Sequence, residues 1–295
     1  MKPVKHYSID KISLSNASEY SVASKSRTDC IVVEEPLEVW CCYHINHAPP
    51  AELLYTTMRT PGDDLNLVLG WLFCSGIIQN VSDVYSINHT GTGRLKRHTT
   101  NRIMVTFSKV IDVSQSKRAD VASSACGVCG EQSIDSILKK LPNRAQTTKK
   151  TKTLSLQSLS TLVSGLGERQ SIFEQTGGNH GVALFDYHTH ILDVREDVGR
   201  HNALDKLIGA NLSMITKSNH NLAGVVLSGR VGFEMVQKAA MAGLNYIIAL
   251  GAPSSLAIDL AEDCDICLLG FVKPEHCNLY TGGHLLSDKP THQGV

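Results

Sequence analysis

The first third of the chain alternates apolar and polar residues in short runs, which is the pattern of half-buried β-strands. The segment CIVVEEPLEVWCCYHI, residues 30–45, and the later RIMVTF carry this pattern. Between them, LNLVLGWLFCSGII, residues 65–78, is one apolar stretch. It predicts a buried helix, because it is too short to span a bilayer. We expect that helix to begin with Thr60 as its N-cap and Pro61 as its first residue, and to end at Gly76.

The C-terminal part of the chain alternates short apolar runs with longer amphipathic segments. The apolar runs are HGVALFD, HILDVRE, AGVVLS, NYIIAL and DICLLGFV. The first two flank the tripeptide YHT and predict a β-hairpin. The segments GRHNALDKLIGANL, FEMVQKAAMAGL and SSLAIDLAEDC separate the last four runs and predict helices. Strands separated by helices predict parallel pairing, and strands that are apolar throughout are typical of a sheet covered on both faces.

These patterns predict an α/β protein with a layered C-terminal domain and a smaller, strand-rich N-terminal domain. A mobile arm is expected at residues 1–29, which are rich in serine, lysine and aspartate and show no clear apolar period. A strand-rich domain with one buried helix is expected at residues 30–120. A cysteine-containing loop, a helix and a basic linker are expected at residues 121–152, and the α/β domain at residues 153–295.

Charge and cysteine content narrow the class of protein. The 295 residues carry 28 Lys and Arg against 28 Asp and Glu, and this zero net charge argues against a dedicated nucleic-acid binder. The first residues lack the apolar core of a secretory signal peptide, and no apolar stretch is long enough for a transmembrane helix. We therefore expect a cytoplasmic protein without membrane contact. The nine cysteines are too few for a disulfide scaffold of this length, so most are expected to be reduced.

The segment SSACGVCGEQ, residues 123–132, holds the most reactive candidate residues, Cys126 and Cys129. Serine, alanine and glycine leave the sulfur atoms uncovered, and a following helix would direct N–H groups toward a thiolate or a persulfide. Three functions fit the motif: a structural zinc site, thiol–disulfide exchange and sulfur transport. Zinc fits least well, because a second pair, Cys264 and Cys267, enters an apolar strand that should point the two side chains to opposite faces.

Glycines and basic residues gather around the ends of the predicted strands in the C-terminal domain. Gly177, Gly178 and His180 come just before one strand, Arg200 and His201 start a helix, and Ser228, Gly229 and Arg230 lie at the carboxyl edge of another strand. Open α/β sheets bind ligands at this edge, and helix N-termini there favour phosphate groups. We therefore predict a site for a phosphate-bearing ligand, in which His180 and His201 contact the ligand or transfer protons. The predicted residues are Gly177, Gly178, His180, Arg200, His201, Ser228, Gly229 and Arg230, with Lys273 as a further positive charge. The histidines lack the close spacing of metal ligands, so no permanently bound metal is expected.

Several long blocks of the sequence are similar to one known family. They include SSACGVCG, FEQTGGNH, REDVGRHNALDKLIG, FEMVQKAAMAGL, APSSLAIDLAE, TMRTPGDDLNLVLGWLFCSGII and GFVKP. Together they resemble the FdhD/NarQ family of formate dehydrogenase accessory sulfur carriers. The resemblance implies a three-layer α/β/α C-terminal domain similar to the cytidine-deaminase fold, a homodimer and a cytoplasmic location. The zinc signature of cytidine deaminases is absent from the sequence, so deaminase chemistry is not expected.

The resemblance also implies a reaction. In the family, an IscS-type cysteine desulfurase supplies sulfur, which passes to the molybdenum (or tungsten) bis(molybdopterin guanine dinucleotide) cofactor before that cofactor enters formate dehydrogenase. By its position in the motif, Cys126 is the expected persulfide-bearing residue and Cys129 its helper. The expected cofactor-binding stretch consists of Phe271, Val272, Lys273, Pro274, Glu275 and His276. A cofactor-binding chaperone without sulfur transfer and a thiol–disulfide oxidoreductase are the alternatives.

Overall fold

A computed structural model gives the architecture of the chain. The structure describes residues 2–12, 24–44, 49–90, 100–111, 113, 152–217 and 221–288. Cys126 and Cys129 lie outside the described residues, as does nearly all of the loop, helix and linker predicted at residues 121–152.

Within the described residues the chain forms twelve β-strands and seven α-helices. The strands are β1 (Val4–Ile12), β2 (Ser24–Val32), β3 (Glu35–Tyr43), β4 (Glu52–Arg59), β5 (Val84–His89), β6 (Arg102–Phe107), β7 (His180–Asp186), β8 (Ile191–Asp197), β9 (Leu222–Leu227), β10 (Tyr246–Ala249), β11 (Cys267–Gly270) and β12 (Asn278–Thr281). The helices are α1 (Asp64–Cys74), α2 (Ser158–Gly167), α3 (Ser171–Thr176), α4 (Arg200–Ala210), α5 (Leu212–Ile215), α6 (Phe233–Met241) and α7 (Ser255–Asp263). None of these seven helices is long and apolar enough to cross a membrane.

Strands β1 and β2 form a separate two-stranded antiparallel sheet, in which Val4 lies opposite Val32. Successive side chains of β1 point to opposite faces of this hairpin, and most of them are exposed, so both faces are in contact with solvent. The sequence predicts a mobile arm at residues 1–29 and does not reveal the hairpin. The reason is that a strand exposed on both faces shows no alternation of apolar and polar residues.

The N-terminal unit also contains a four-stranded sheet and one helix. The strand order is β4-β3-β6-β5, with β3 and β6 parallel and the other pairs antiparallel. Helix α1 ends at Cys74, and the chain turns at Gly76 (φ 70°), as the sequence predicts. Its start differs, because Asp63 is the N-cap and Thr60 hydrogen-bonds elsewhere. The prediction of Thr60 and Pro61 at the helix start is therefore wrong.

The C-terminal unit is built on a six-stranded sheet with the order β12-β11-β10-β9-β7-β8. Strands β9, β10 and β11 pair in parallel, and β7 and β8 form a hairpin, as the sequence predicts. Strand β7 is also antiparallel to β9, and β12 to β11. One face of the sheet packs against α4, α6 and α7, and the other packs against α2, while α1 lies on α4. The expected α/β class is confirmed, with three layers in this unit.

The two units share one apolar core. A single cluster of buried side chains joins Leu37 and Val105 of the four-stranded sheet with Val225 of the six-stranded sheet. Helices α1 and α4 cross at Gly70 and Gly209, where a Cβ atom on either glycine would overlap main-chain atoms of the other helix. Because the two backbones touch, the N-terminal unit is held directly against the helical layer of the C-terminal unit.

Candidate anion-binding site

The start of β7 and the end of β9 lie at the same edge of the six-stranded sheet, because the two strands are antiparallel. Gly181 N donates to Ser228 Oγ at 2.9 Å, and Ser228 N donates to the Gly181 carbonyl at 3.0 Å. This pairing places His180 beside Gly229: a Cβ atom added to Gly229 would lie 3.1 Å from His180 Nδ1. The structure therefore brings together three of the predicted residues, His180, Ser228 and Gly229.

The turns after β9, β10 and β11 stack on one another along this edge. Gly251 N donates to the Gly229 carbonyl, and Phe271 N donates to the Gly251 carbonyl, both at 3.2 Å. A Cβ atom on Gly251 would lie 2.8 Å from the main chain of Gly229 and Arg230, so glycine is needed for this close approach. The result is a row of turns that extends from His180 to Phe271.

Positive charge surrounds His180 at this edge. Burial lowers the pKa of His180 from its ordinary value of 6.5, and the guanidinium groups of Arg200 and Arg230 lower it further, while Asp197 acts in the opposite direction. At neutral pH the imidazole is therefore uncharged, so it can donate one hydrogen bond and accept another. Arg200 is half-buried and Arg230 is exposed, and together they supply the positive charge that an anionic ligand needs.

Arg200 and His201 begin helix α4, whose N-cap is Gly199. The N-terminal end of a helix carries partial positive charge, which adds to the charge of Arg200. His201 is directed toward helix α6, where its Nε2 lies 3.7 Å from Glu234 Oε2. The structure thus groups Arg200 with His180, and it gives His201 a carboxylate neighbour on another helix.

Gly177 and Gly178 precede His180 at one end of the row of turns. Gly177 follows α3 with a left-handed backbone (φ 65°), a conformation that favours glycine. Gly178 packs against Val32 of the hairpin, where an added Cβ atom would lie 2.6 Å from Val32 Cγ1. These two glycines shape the approach of the chain to His180, and the β1–β2 hairpin lies beside them.

The predicted cofactor-binding stretch leaves β11 at Phe271, which is exposed and has a left-handed backbone (φ 51°). The next side chain, Val272, is only 2% exposed, so it packs into the core and can contact a ligand only through its main chain. Residues 273–276 then form an exposed turn, closed by a hydrogen bond from Lys273 N to the His276 carbonyl at 2.8 Å. Phe271 therefore lies next to the row of turns, and Lys273 follows it on the surface.

A buried polar network supports the turn between β8 and α4. Asp197 is completely buried, and its Oδ2 lies 2.7 Å from Lys206 Nζ and accepts from Thr60 N at 3.1 Å. The network ties the end of β4 to the turn that carries Arg200. The sequence names Thr60 only as a helix N-cap and does not predict the contacts among these residues, since their partners are distant along the chain. The available signal is that Thr60 and Asp197 both fall in blocks that resemble the family.

The described cysteines do not form a metal site. Cys264 packs in the core on one face of the six-stranded sheet and Cys267 in the core on the other, so the two thiols cannot share a zinc ion. The sequence predicts opposite directions from alternation within one strand, but Cys264 is the C-cap of α7 and only Cys267 lies in β11. Burial raises the pKa of Cys267 to about 12, which keeps its thiol protonated. Among the described residues, no group of three or more His, Cys, Asp or Glu side chains could hold a metal ion.

Comparison with known proteins decides the family. The sequence matches the FdhD/NarQ family over residues 33–287. The chain belongs to the FdhD/NarQ family. Sulfur carrier protein FdhD from Nocardia farcinica is 39% identical over 263 residues, which cover 88% of this chain and 89% of the relative. Sulfur carrier protein FdhD from Anaeromyxobacter sp. (strain K) is 38% identical over 269 residues, which cover 88% of each chain.

A crystal structure shows a similar fold. A formate dehydrogenase accessory protein from Desulfotalea psychrophila matches this FdhD/NarQ member with a TM-score of 0.68, over 95% of this chain and 99% of that chain. The sequence identity is 21%, so this likeness concerns the fold alone. The family assignment made from the sequence blocks is confirmed.

Proposed function

We propose that this FdhD/NarQ protein is a cytoplasmic sulfur carrier in the maturation of formate dehydrogenase, and that it acts as a homodimer. The observation that carries the proposal is the family match over residues 33–287. This range contains both the CGVCG motif and the turns around His180. Relatives that bear the name sulfur carrier protein FdhD, at 38–39% identity, support the same conclusion.

In the first step, an IscS-type cysteine desulfurase presents a cysteine persulfide to Cys126. The Cys126 thiolate attacks the terminal sulfur, so an S–S bond forms on Cys126 while the S–S bond of the desulfurase breaks. The desulfurase cysteine leaves as a thiolate. No oxidant is needed, because the sulfur moves at the oxidation level at which it arrives. Cys129, in the same motif, assists this exchange.

The terminal sulfur is then delivered to the molybdenum bis(molybdopterin guanine dinucleotide) cofactor, which the protein binds as a substrate. In this step the S–S bond of the Cys126 persulfide breaks, Cys126 leaves as a thiolate, and the metal of the reduced cofactor supplies the two electrons that convert the outer sulfur to sulfide. The negative phosphate groups of this molecule suit the edge formed by Arg200, Arg230 and the start of α4. Ser228 Oγ accepts a hydrogen bond from Gly181 N, so the hydroxyl hydrogen of Ser228 can be donated to a phosphate oxygen. The ring of Phe271, which is 42% exposed, offers a surface on which the guanine base can stack.

Mass spectrometry of the desulfurase-treated protein tests this proposal. The full chain is incubated with an IscS-type desulfurase and L-cysteine, and its intact and peptide masses are measured without reductant. We expect the addition of one sulfur atom on Cys126 and its loss after treatment with a thiol reductant, because a persulfide is cleaved by thiolates.

Cys126→Ala is expected to prevent this addition and to abolish formate dehydrogenase maturation in cells that lack the endogenous carrier. Cys42→Ala changes a half-buried cysteine of β3 and is expected to retain both activities. Full maturation by Cys126→Ala would contradict the proposal. Guanine-nucleotide binding without any persulfide would instead indicate a chaperone, and a reversible Cys126–Cys129 disulfide with insulin reductase activity would indicate an oxidoreductase.

A further inference from the structure

Thr60 connects the N-terminal unit to two of the chain segments that carry residues of the anion-binding site. It follows β4 directly and is 1% exposed. One of the two segments is the approach to β7, which leads into His180. The other is the turn between β8 and α4, which leads into Arg200.

The hydroxyl group of Thr60 links these two segments. Its Oγ1 donates to Asn179 Oδ1 at 3.1 Å and accepts from Val198 N at 3.0 Å. A hydroxyl group has one hydrogen and two lone pairs, so both bonds can exist at the same time. Asn179 directly precedes His180, and Val198 lies two residues before Arg200. One oxygen atom therefore connects the segments that end at His180 and Arg200.

The main chain of Thr60 is held just as firmly. Thr60 N donates to Asp197 Oδ2 at 3.1 Å, and Lys206 Nζ donates to the Thr60 carbonyl at 2.8 Å. Lys206 Nζ also lies 2.7 Å from Asp197 Oδ2. Every polar atom of Thr60 thus takes part in a buried network, which fixes the position of its hydroxyl group.

We propose that Thr60 is a positioning residue of the anion-binding site, whose hydroxyl group fixes the His180 segment relative to the Arg200 segment. It acts through Asn179 and Val198 rather than by contact with the ligand. The inference rests on the proposed function, in which this edge binds the guanine-nucleotide part of the cofactor. A residue of the N-terminal unit thereby controls the geometry of a site on the C-terminal sheet.

Three variants of the full chain separate positioning from simple stability. Thr60→Val has nearly the same shape as threonine but loses both hydroxyl bonds, whereas Thr60→Ser keeps them. Thr57→Val is the matched control, because Thr57 is a buried threonine of the neighbouring strand β4. Its Oγ1 donates to Asn202 Oδ1 at 3.3 Å on helix α4. Thr57→Val removes this bond but leaves the bonds that Asn202 Nδ2 donates to the Met58 carbonyl and to Asp197 Oδ1.

Two properties are measured: the midpoint of the His180 titration by NMR, and the dissociation constant of guanosine diphosphate by calorimetry. Arg200 lowers the pKa of His180, so a displaced Arg200 in Thr60→Val is expected to move the midpoint up toward 6.5. The dissociation constant is expected to rise about tenfold. Thr60→Ser is expected to retain both wild-type values, and Thr57→Val the wild-type midpoint.

An unchanged His180 midpoint in Thr60→Val, or an equal shift in Thr57→Val, would overturn the proposal. If the wild-type protein does not bind guanosine diphosphate, the proposal that this edge binds the nucleotide is wrong. The His180 midpoint still decides whether Thr60 positions the two segments. If circular dichroism shows that Thr60→Val does not fold, Asn179→Ala removes one of the same links from the other side. It must then show the upward shift, and its absence would equally reject the role of Thr60.

Discussion

Replacing Asp197 with asparagine is expected to destabilise the protein strongly, because it leaves the charge of Lys206 unpaired in the core. Both side chains are almost fully buried, at 0% and 3% exposed, with 2.7 Å between Oδ2 and Nζ. Removing one partner of a buried ion pair costs about 3–5 kcal/mol. The Thr60 and Glu196 carbonyls, at 2.8 and 3.4 Å, still accept from Lys206. We therefore expect Asp197→Asn to lower the free energy of unfolding by ~3 kcal/mol, the lower end of this range.

The loss is measured by urea unfolding of the full chain at pH 7, followed by circular dichroism. The double variant Asp197→Asn/Lys206→Met removes both charges. It is expected to lose less free energy of unfolding than Asp197→Asn alone, because no unpaired charge is then buried. Adding Lys206→Met completes a double-mutant cycle, which gives the coupling energy between the two side chains.

An exposed ion pair with a similar distance serves as the control. Arg102 Nη2 and Glu38 Oε2 lie 2.8 Å apart, with side chains that are 47% and 39% exposed. Because water screens this pair, Glu38→Gln is expected to cost only about 0.2–1 kcal/mol. The reasoning is refuted if Asp197→Asn costs no more than Glu38→Gln, or if the double variant is less stable than Asp197→Asn.

Three further predictions concern the titration of His180, its effect on stability and the contact between helices α1 and α4. In the free protein His180 is expected to titrate below pH 6.5. Bound inorganic phosphate places negative charge beside the imidazole and is expected to raise the midpoint of its NMR titration. A midpoint that phosphate does not move would argue against anion binding at His180. The unfolded chain takes up this proton at a higher pH than the folded chain, so His180 lowers stability as the pH falls below 6.5, and His180→Asn removes that contribution. Gly70→Ala is expected to lower the free energy of unfolding by at least ~2 kcal/mol, because its methyl group would overlap the main chain of α4. In Gly167→Ala the methyl group meets open space, so this variant is not expected to be destabilised. Equal melting temperatures for the two variants would contradict this description of the helix contact.

Elements that bury an apolar face could be predicted from the sequence. Strands β9, β10 and β11 are apolar along their length because both sheet faces are covered, and the helices between them each bury one side. The β1–β2 hairpin could not be predicted, because it buries too little surface to impose a pattern. The start of α1 was predicted wrongly because Thr60 fits the local preference for an N-cap, while its polar atoms bond to residues far along the chain.

The candidate site could be predicted only in part. His180 and Ser228 lie at one edge because β7 is antiparallel to β9, and the sequence pattern predicts the two strands but not this pairing. The inward direction of Val272 could not be predicted, because it depends on where β11 ends and how the chain turns. The link from Thr60 to Asp197 spans 137 residues, and no local pattern reports such a distance. The role of Cys126 lies outside the described residues and stays a prediction.

The position of the N-terminal unit bears on the proposed sulfur transfer. A carrier cysteine and a bound acceptor react efficiently only if both are held in a productive arrangement. Val113, the last described residue before the CGVCG motif, is buried in the core cluster that also contains side chains of α1 and α4. The chain is therefore anchored at Val113 in the same core cluster in which α1 packs against α4 at Gly70. Thr60, next to this cluster, bonds to the His180 and Arg200 segments. For the proposed function, this arrangement means that the chain before the proposed carrier motif and the proposed acceptor site are held by one folded core.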